Sequence, residues 1–189
     1  LPDNPTVIVE PKIDGCAMAV RYVDGILVKA WTRKGIDKTY CMRMIEDLPK
    51  SIKAKGTVEV RGELYGKGLI PARSQRLAAG HLRKKQPSGM GLSFCAFQIF
   101  NGKGTEVSNL KQLVNWGFHV CGHIKVNSNV VNRVKQLHSQ WQDSLIFSRY
   151  PTDGIVVKVL DKDLQEEIGR TSIAPSWATA IKDTWRNVH

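Results

Sequence analysis

A chain of 189 residues with 28 Lys plus Arg against 17 Asp plus Glu carries a formal net charge of +11. No run of about 18 apolar residues interrupts it, which excludes a membrane-spanning helix, and 42% hydrophobic with 24% charged residues excludes extensive disorder. The length suits one domain with a substantial core, or two small ones. The charge points to a polyanionic partner, because cations that neutralise phosphates release condensed counterions; nucleic acid fits better than a membrane surface.

The first residues, Leu1-Pro2-Asp3-Asn4-Pro5, hold no basic segment followed by an apolar one and no initiator Met. They read as the start of a processed or excised piece, not as a signal peptide. Cys16, Cys41, Cys95 and Cys121 are scattered without C-x-x-C spacing, the pattern of free thiols in a reducing compartment.

Residues 6–10 form a short apolar run and residues 17–23 alternate, both strand patterns. Asp24-Gly25 is a favoured hairpin turn, from which residues 26–32 return as a third strand. Residues 57–65 predict another strand, with Glu59, Arg61 and Glu63 on one face by the period of two. Residues 74–85 predict a short helix ending in a basic cluster, weakened by Gly80. Residues 92–100 read as a buried strand. Ser108 is the expected cap of a helix that Gly117 stops, and residues 118–126 read as a further strand. Val130, Val131, Val134, Leu137 and Trp141 fall on one stripe of a helix over 129–141. Residues 155–160 predict a strand, 163–168 a short helix and 177–182 a closing strand. Hairpin-linked strands with irregularly inserted helices indicate an α+β fold with antiparallel or mixed sheets flanked by helices. Neither G-x-x-x-x-G-K-[ST] nor G-x-G-x-x-G occurs, so a bound nucleotide would have to be held by side chains.

Several lysines stand in strand contexts that suit phosphate chemistry. Glu10-Pro11-Lys12-Ile13-Asp14-Gly15 follows the first strand, Asp153-Gly154-Ile155-Val156-Val157-Lys158 opens a later one, and Lys182 ends the last. An amine attacks phosphorus through its free lone pair, and charge on the phosphate oxygens and the leaving group must be offset by fixed cations or a metal. One reactive lysine, further lysines for phosphate and carboxylates for ribose or metal make up such a site. Most of the 28 basic residues are solvated surface charges on any reading.

The ordered set K-x-D-G, E-V-R-G-E, F-C-A-F, D-G-I-V-V-K and W-A-x-A-x-K resembles the covalent nucleotidyltransferases, and within them the adenylation domain of NAD-dependent DNA ligases. Ala78-Ala79-Gly80-His81-Leu82-Arg83 and the run from Gly169 to Ala178 are similar to segments of that branch. The resemblance extends from Glu10 to Lys182 and implies a covalent nucleotidyltransferase (ATP-grasp-like) fold occupying residues 1–189 as a single domain. Lys12 would be the nucleophile that forms lysyl–AMP. Glu10 would contact the adenine edge, Asp14 and Gly15 would complete the cofactor-binding motif, and Arg33 would lie near ribose and phosphate. Glu63 would accept a hydrogen bond from a ribose hydroxyl. Phe97 would stack on adenine in place of the family's usual tyrosine. Lys158 and Lys182 would hold the α-phosphate, with Asp153 organising Lys158 or a magnesium ion.

The same resemblance implies NAD and magnesium as cofactors, nicked double-stranded DNA as partner, a monomer, and a cytoplasmic, nucleoid-associated location. The chain departs from the family after Arg33, at Ala72 to Leu77 and at Ile181-Lys182-Asp183, which leaves Arg73 or Arg76 to replace a DNA-contacting arginine. His81 to Lys85, including Arg83, reads as either a solvated helix end or a phosphate-binding patch, and the resemblance favours the patch. The family's N-terminal nicotinamide-mononucleotide module would precede Leu1, and its OB-fold and later domains would follow His189. The rival readings are an ATP-dependent polynucleotide ligase and a non-catalytic DNA-binding remnant. His119, Cys121 and His123 alternate on one predicted strand face, yet no fourth ligand stands at a zinc-site spacing, so packing is their expected role and no metal site is assigned. His138 reads as a boundary residue, and Trp116 and Trp141 as core.

Overall fold

Two periodicities in the sequence, of 2 and of about 3.6 residues, organise this computed structural model, which describes residues 5–168 and 178–182. In chain order the elements are β1 (Val7–Ile13), β2 (Cys16–Val23), β3 (Ile26–Thr32), α1 (Thr39–Arg43), β4 (Thr57–Gly66), α2 (Pro71–His81), β5 (Leu92–Ile99), α3 (Glu106–Asn115), β6 (Ile124–Val126), α4 (Val130–Gln142), β7 (Thr152–Val159), α5 (Lys162–Ile168) and β8 (Ala178–Lys182). No helix among the described residues is long and apolar enough to cross a membrane. The chain divides into two units, Leu1–Ile13 with Gly122–His189, and Asp14–Cys121.

The first unit is built on an antiparallel sheet ordered β6-β1-β7-β8. Val7, Val9, Ile155, Val157, Val159 and Ile181 occupy alternate strand positions and share one apolar cluster with Val130, Val134, Leu137 and Trp141 of α4. Each fully buried aliphatic of this kind contributes about 1.5–3 kcal/mol, so the cluster holds α4 on one face of the sheet. The predicted stripe is met except at Val131, which is 66% exposed: one residue beyond Val130, it is turned about 100° round the helix. The Trp141 indole donates to Thr152 Oγ1 at 2.7 Å, giving its polar edge a partner. β1 runs three residues past the predicted strand and through Pro11. The proline is tolerated because β6 pairs only with Val7, Ile8 and Val9, leaving that edge of β1 open at Pro11.

The second unit is an antiparallel sheet ordered β3-β2-β4-β5. Its first hairpin turns as expected, with φ of 46° at Asp24 and 83° at Gly25. Val20, Tyr22, Val60, Leu64 and Phe94 are buried, and Phe118 meets Tyr22 edge-on at a centroid distance of 5.8 Å. Burial raises the Tyr22 hydroxyl pKa, and that hydroxyl donates to the Pro49 carbonyl at 2.6 Å.

Several boundaries differ from the sequence reading. α2 begins at Pro71, whose fixed φ and missing N–H suit a first helical turn, and it ends before the basic cluster. α3 is capped by Thr105, whose hydroxyl accepts from the Ser108 N–H at 3.1 Å, so Ser108 lies inside the helix. Gly117 stops that helix at φ 89°. Of the strand predicted over 118–126, only β6 forms; Phe118 turns into the core and His119 makes a lone parallel bridge to Cys95. Of the closing strand predicted over 177–182, β8 is observed, and residues 169–177 lie outside the described residues.

Candidate active site

On the sheet of the first unit, the face opposite the apolar cluster carries the predicted lysines. Glu10 stands across from Val156, Lys12 from Gly154, and Gly154 in turn from Lys182. By the period of two, Glu10, Lys12, Lys158 and Lys182 therefore share one side of three adjacent strands. Lys12 Nζ lies 2.8 Å from Asp153 Oδ1, and Lys182 Nζ lies 4.0 Å from Asp153 Oδ2. Lys158 Nζ lies 2.8 Å from Glu10 Oε2, with both side chains about nine-tenths buried.

Strict alternation would turn Asp153 away from this face. The β1–β7 register slips there, with Lys12 opposite Gly154 but Ile13 opposite Thr152. Asp153 is the extra residue of a bulge, a device that re-aims a side chain. The carboxylate thus reaches Lys12 and Lys182, while Lys158 is held by Glu10. Gly154 is required by close approach, since a Cβ there would collide with the Ile181 carbonyl. Three ammonium groups and two carboxylates on one face make a cationic bed for a phosphate, with one lysine beside a proton-accepting carboxylate.

The second unit carries the other predicted residues. Gly15 is needed because a Cβ would collide with the Leu64 carbonyl where β2 begins alongside β4. Ser74, fully buried on α2, donates from its hydroxyl to the Asp14 carbonyl at 2.8 Å and accepts from the Gly66 N–H at 2.9 Å. Those two bonds tie Asp14 to α2 and α2 to β4, a role that nothing in the local sequence pattern signals. Glu59, Arg61 and Glu63 lie on the partly exposed face of β4, as alternation predicts, while Val60, Gly62 and Leu64 are buried. Burial, together with the Glu63 and Asp14 carboxylates, pushes the Cys16 thiol from 9.0 up to about 11, against an opposing pull from Arg83. Cys16 therefore stays a protonated thiol at neutral pH.

Phe97 is half-buried on β5 at a second bulge: Arg61 faces Gln98 and Gly62 faces Ala96, so the register skips it. Arg33 is exposed just beyond β3, in a turn closed by the Gly35 N–H on the Thr32 carbonyl at 2.8 Å. Arg73 and Arg76 are exposed one turn apart on α2, and Arg83 is exposed just past its end. The predicted patch at 81–85 is smaller than expected, because His81 is buried with Nε2 3.0 Å from the Cys41 carbonyl oxygen and Leu82 is buried beside it. A row missed by the sequence reading runs across the same sheet: the Arg21 guanidinium sits 4.9 Å from the Trp31 ring centroid and that of Arg61 sits 4.1 Å from Phe100. The signal for it was Lys29 and Trp31 two residues apart on β3, beside Arg21 of β2; Phe100, just past β5, gave none.

The cysteines also depart from expectation. Cys16 and Cys41 are free, but Cys95 and Cys121 have their sulfurs in bonding contact as a disulfide pair. They are 26 residues apart, and only the fold brings them together.

A family described as NAD-dependent DNA ligase adenylation domain matches this chain over residues 2–184. A DNA ligase of Natranaerobius thermophilus is 30% identical over 95% of this chain and 31% of its own length. A DNA ligase of Anaplasma phagocytophilum is 35% identical over 94% of this chain and 29% of its own length. The chain thus spans less than a third of these curated relatives. Among solved structures, mycobacterial DNA ligase D complexed with ATP and MES has a similar fold, with a TM-score of 0.57 at 16% identity, over 94% of this chain and 54% of that one.

Proposed function

We propose, for a chain that belongs to the family of NAD-dependent DNA ligase adenylation domains, an adenylate-transfer function centred on Lys12, with residues 1–189 acting as one nucleotidyltransferase domain. The observation that carries this reading is the polar face of the first unit, where Asp153 pairs with Lys12 and Lys182 while Glu10 pairs with Lys158. The Lys12 amine forms a bond to the adenylyl phosphorus of NAD, the pyrophosphate P–O bond breaks, nicotinamide mononucleotide leaves, and the amine gives up a proton. Asp153, 2.8 Å from Lys12 Nζ, is the acceptor in reach. Lys158 and Lys182 offset charge on the phosphate. Glu10 and Phe97 serve adenine, Glu63 and Arg33 serve ribose and phosphate, and Asp14 and Gly15 shape the loop after Lys12.

AMP then passes to the 5′-phosphate of nicked duplex DNA, which a monomer would grip through Arg73, Arg76 and Arg83, in a cytoplasmic setting. Among the described residues no group of three or more carboxylates stands ready for a cation. Magnesium is usually held by one or two carboxylates together with substrate phosphates; Asp153 is the candidate ligand, and the ion would supply further charge neutralisation at the phosphates.

The test is intact mass after incubation with magnesium and either NAD or ATP, on the longest form in which the protein is expressed, beside Lys12→Ala. The expected result is an added AMP with NAD that the variant lacks. An adduct with ATP alone would move the protein to the ATP-dependent branch. No adduct with either nucleotide would leave a DNA-binding remnant and overturn the reading.

A further inference from the structure

In the second unit, Cys95, His119 and Cys121 each present one donor atom, and the three lie within 4.8 Å of one another. Two separate backbone segments deliver them. Cys95 is on β5, and the segment with His119 and Cys121 is pinned beside it by a parallel bridge between Cys95 and His119 and by the Ala96 N–H on the His119 carbonyl at 2.9 Å. Both cysteines are buried, while His119 is partly exposed and leaves a way in. The Tyr65 hydroxyl and His119 Nε2 are hydrogen-bonded at 3.2 Å. With Nε2–H donating to the Tyr65 oxygen, Nδ1 keeps its lone pair. This is the outer-shell arrangement that orients metal-binding imidazoles.

We propose that Cys95, His119 and Cys121 form a zinc-class metal site in the reduced protein, with three protein ligands and solvent in the fourth position. Zinc–sulfur bonds of about 2.3 Å and zinc–nitrogen bonds of about 2.0 Å put the donors of a tetrahedral site roughly 3.5 Å apart, inside the 4.8 Å within which the three donors lie. Two thiolates and an imidazole are the soft and borderline donors that zinc prefers, and hard cations such as magnesium do not. Where the two sulfurs are joined, a dithiol reductant delivers two electrons and two protons, becoming a disulfide itself. Zinc then replaces the two thiol protons and takes the neutral imidazole, so two protons are released per ion bound. Cys95 faces Glu63 in the β4–β5 register and stands two residues before Phe97. Metal at this point therefore braces the strand that carries Phe97 against the strand that carries Glu63. The proposal does not depend on the adenylate-transfer reading.

The experiment purifies the chain under dithiol reductant, measures zinc by elemental analysis, and titrates the metal-free protein with Co²⁺. The expected result is one zinc per chain and a sulfur-to-cobalt charge-transfer band in the near ultraviolet. Both are lost in Cys121→Ser and kept in Cys16→Ser. Tyr65→Phe, which leaves all three ligands in place, weakens zinc affinity by about 10- to 100-fold. Three results would overturn the proposal: a reduced protein without zinc whose Cys95 and Cys121 are both alkylated; a Cys95–Cys121 bond that survives the reductant; or zinc bound equally by Cys121→Ser.

Discussion

Glu10 and Lys158 show how much a single pair of side chains contributes when both are withdrawn from water. Each residue is less than 9% exposed, and their charged atoms are 2.8 Å apart. A buried ion pair adds little net stability compared with an apolar pair of the same shape, because desolvation offsets the attraction, but removing one member strands the other. Lys158→Met is expected to lower unfolding free energy by about 3–5 kcal/mol, and the double variant Glu10→Met/Lys158→Met to recover most of it. Urea unfolding monitored by circular dichroism measures both. A double variant as unstable as the single one would show that the loss comes from packing rather than from an unpaired carboxylate.

At the scale of the strand, the polar face of the first unit depends on a glycine as much as on its lysines. Gly154 lies between Lys12 and Lys182 in the register, and a Cβ on it would meet the Ile181 carbonyl and press on Lys182 Cα. Backbone atoms cannot swing aside as a flexible side chain does, so β8 has to move. Gly154→Ala is expected to cost about 1–3 kcal/mol in stability and to slow formation of the AMP adduct by more than tenfold, because Lys182 is carried away from Asp153. Timed intact-mass measurements together with thermal melts separate the two effects. An alanine variant that melts normally and forms the adduct at the parent rate would show that β8 adapts without consequence.

For the molecule as a whole, a net charge of +11 makes association with a polyanion depend on salt. The logarithm of the affinity for nicked duplex is expected to fall linearly with the logarithm of salt concentration, with a slope of about −0.9 for every phosphate neutralised. Arg73, Arg76 and Arg83 are exposed on and just beyond α2. Replacing all three by Gln is expected to make the slope shallower by about 0.9 for each one that contacts a phosphate. Fluorescence anisotropy with a labelled nicked duplex across a salt series reads this directly. An unchanged slope would remove these arginines from the DNA surface and turn attention to the Arg21–Trp31 and Arg61–Phe100 stacks.

The sequence by itself determined the charge, the first hairpin, the alternating strands and the apolar stripe of α4. It also determined the lysine-bearing motifs through which the family could be recognised. These are short-range signals: a period of 2 or of 3.6, a turn dipeptide and a spacing are complete within a few residues. Only the tertiary structure decided which charges meet. Lys12 and Asp153 are 141 residues apart in sequence, and their contact hangs on a one-residue slip in the β1–β7 register that no local pattern announces. The same holds for the bulge at Phe97, the burial of His81 and the gathering of Cys95, His119 and Cys121. A side chain's face follows from its own strand; its partner follows from how that strand is paired, and pairing is set by contacts distant in the chain.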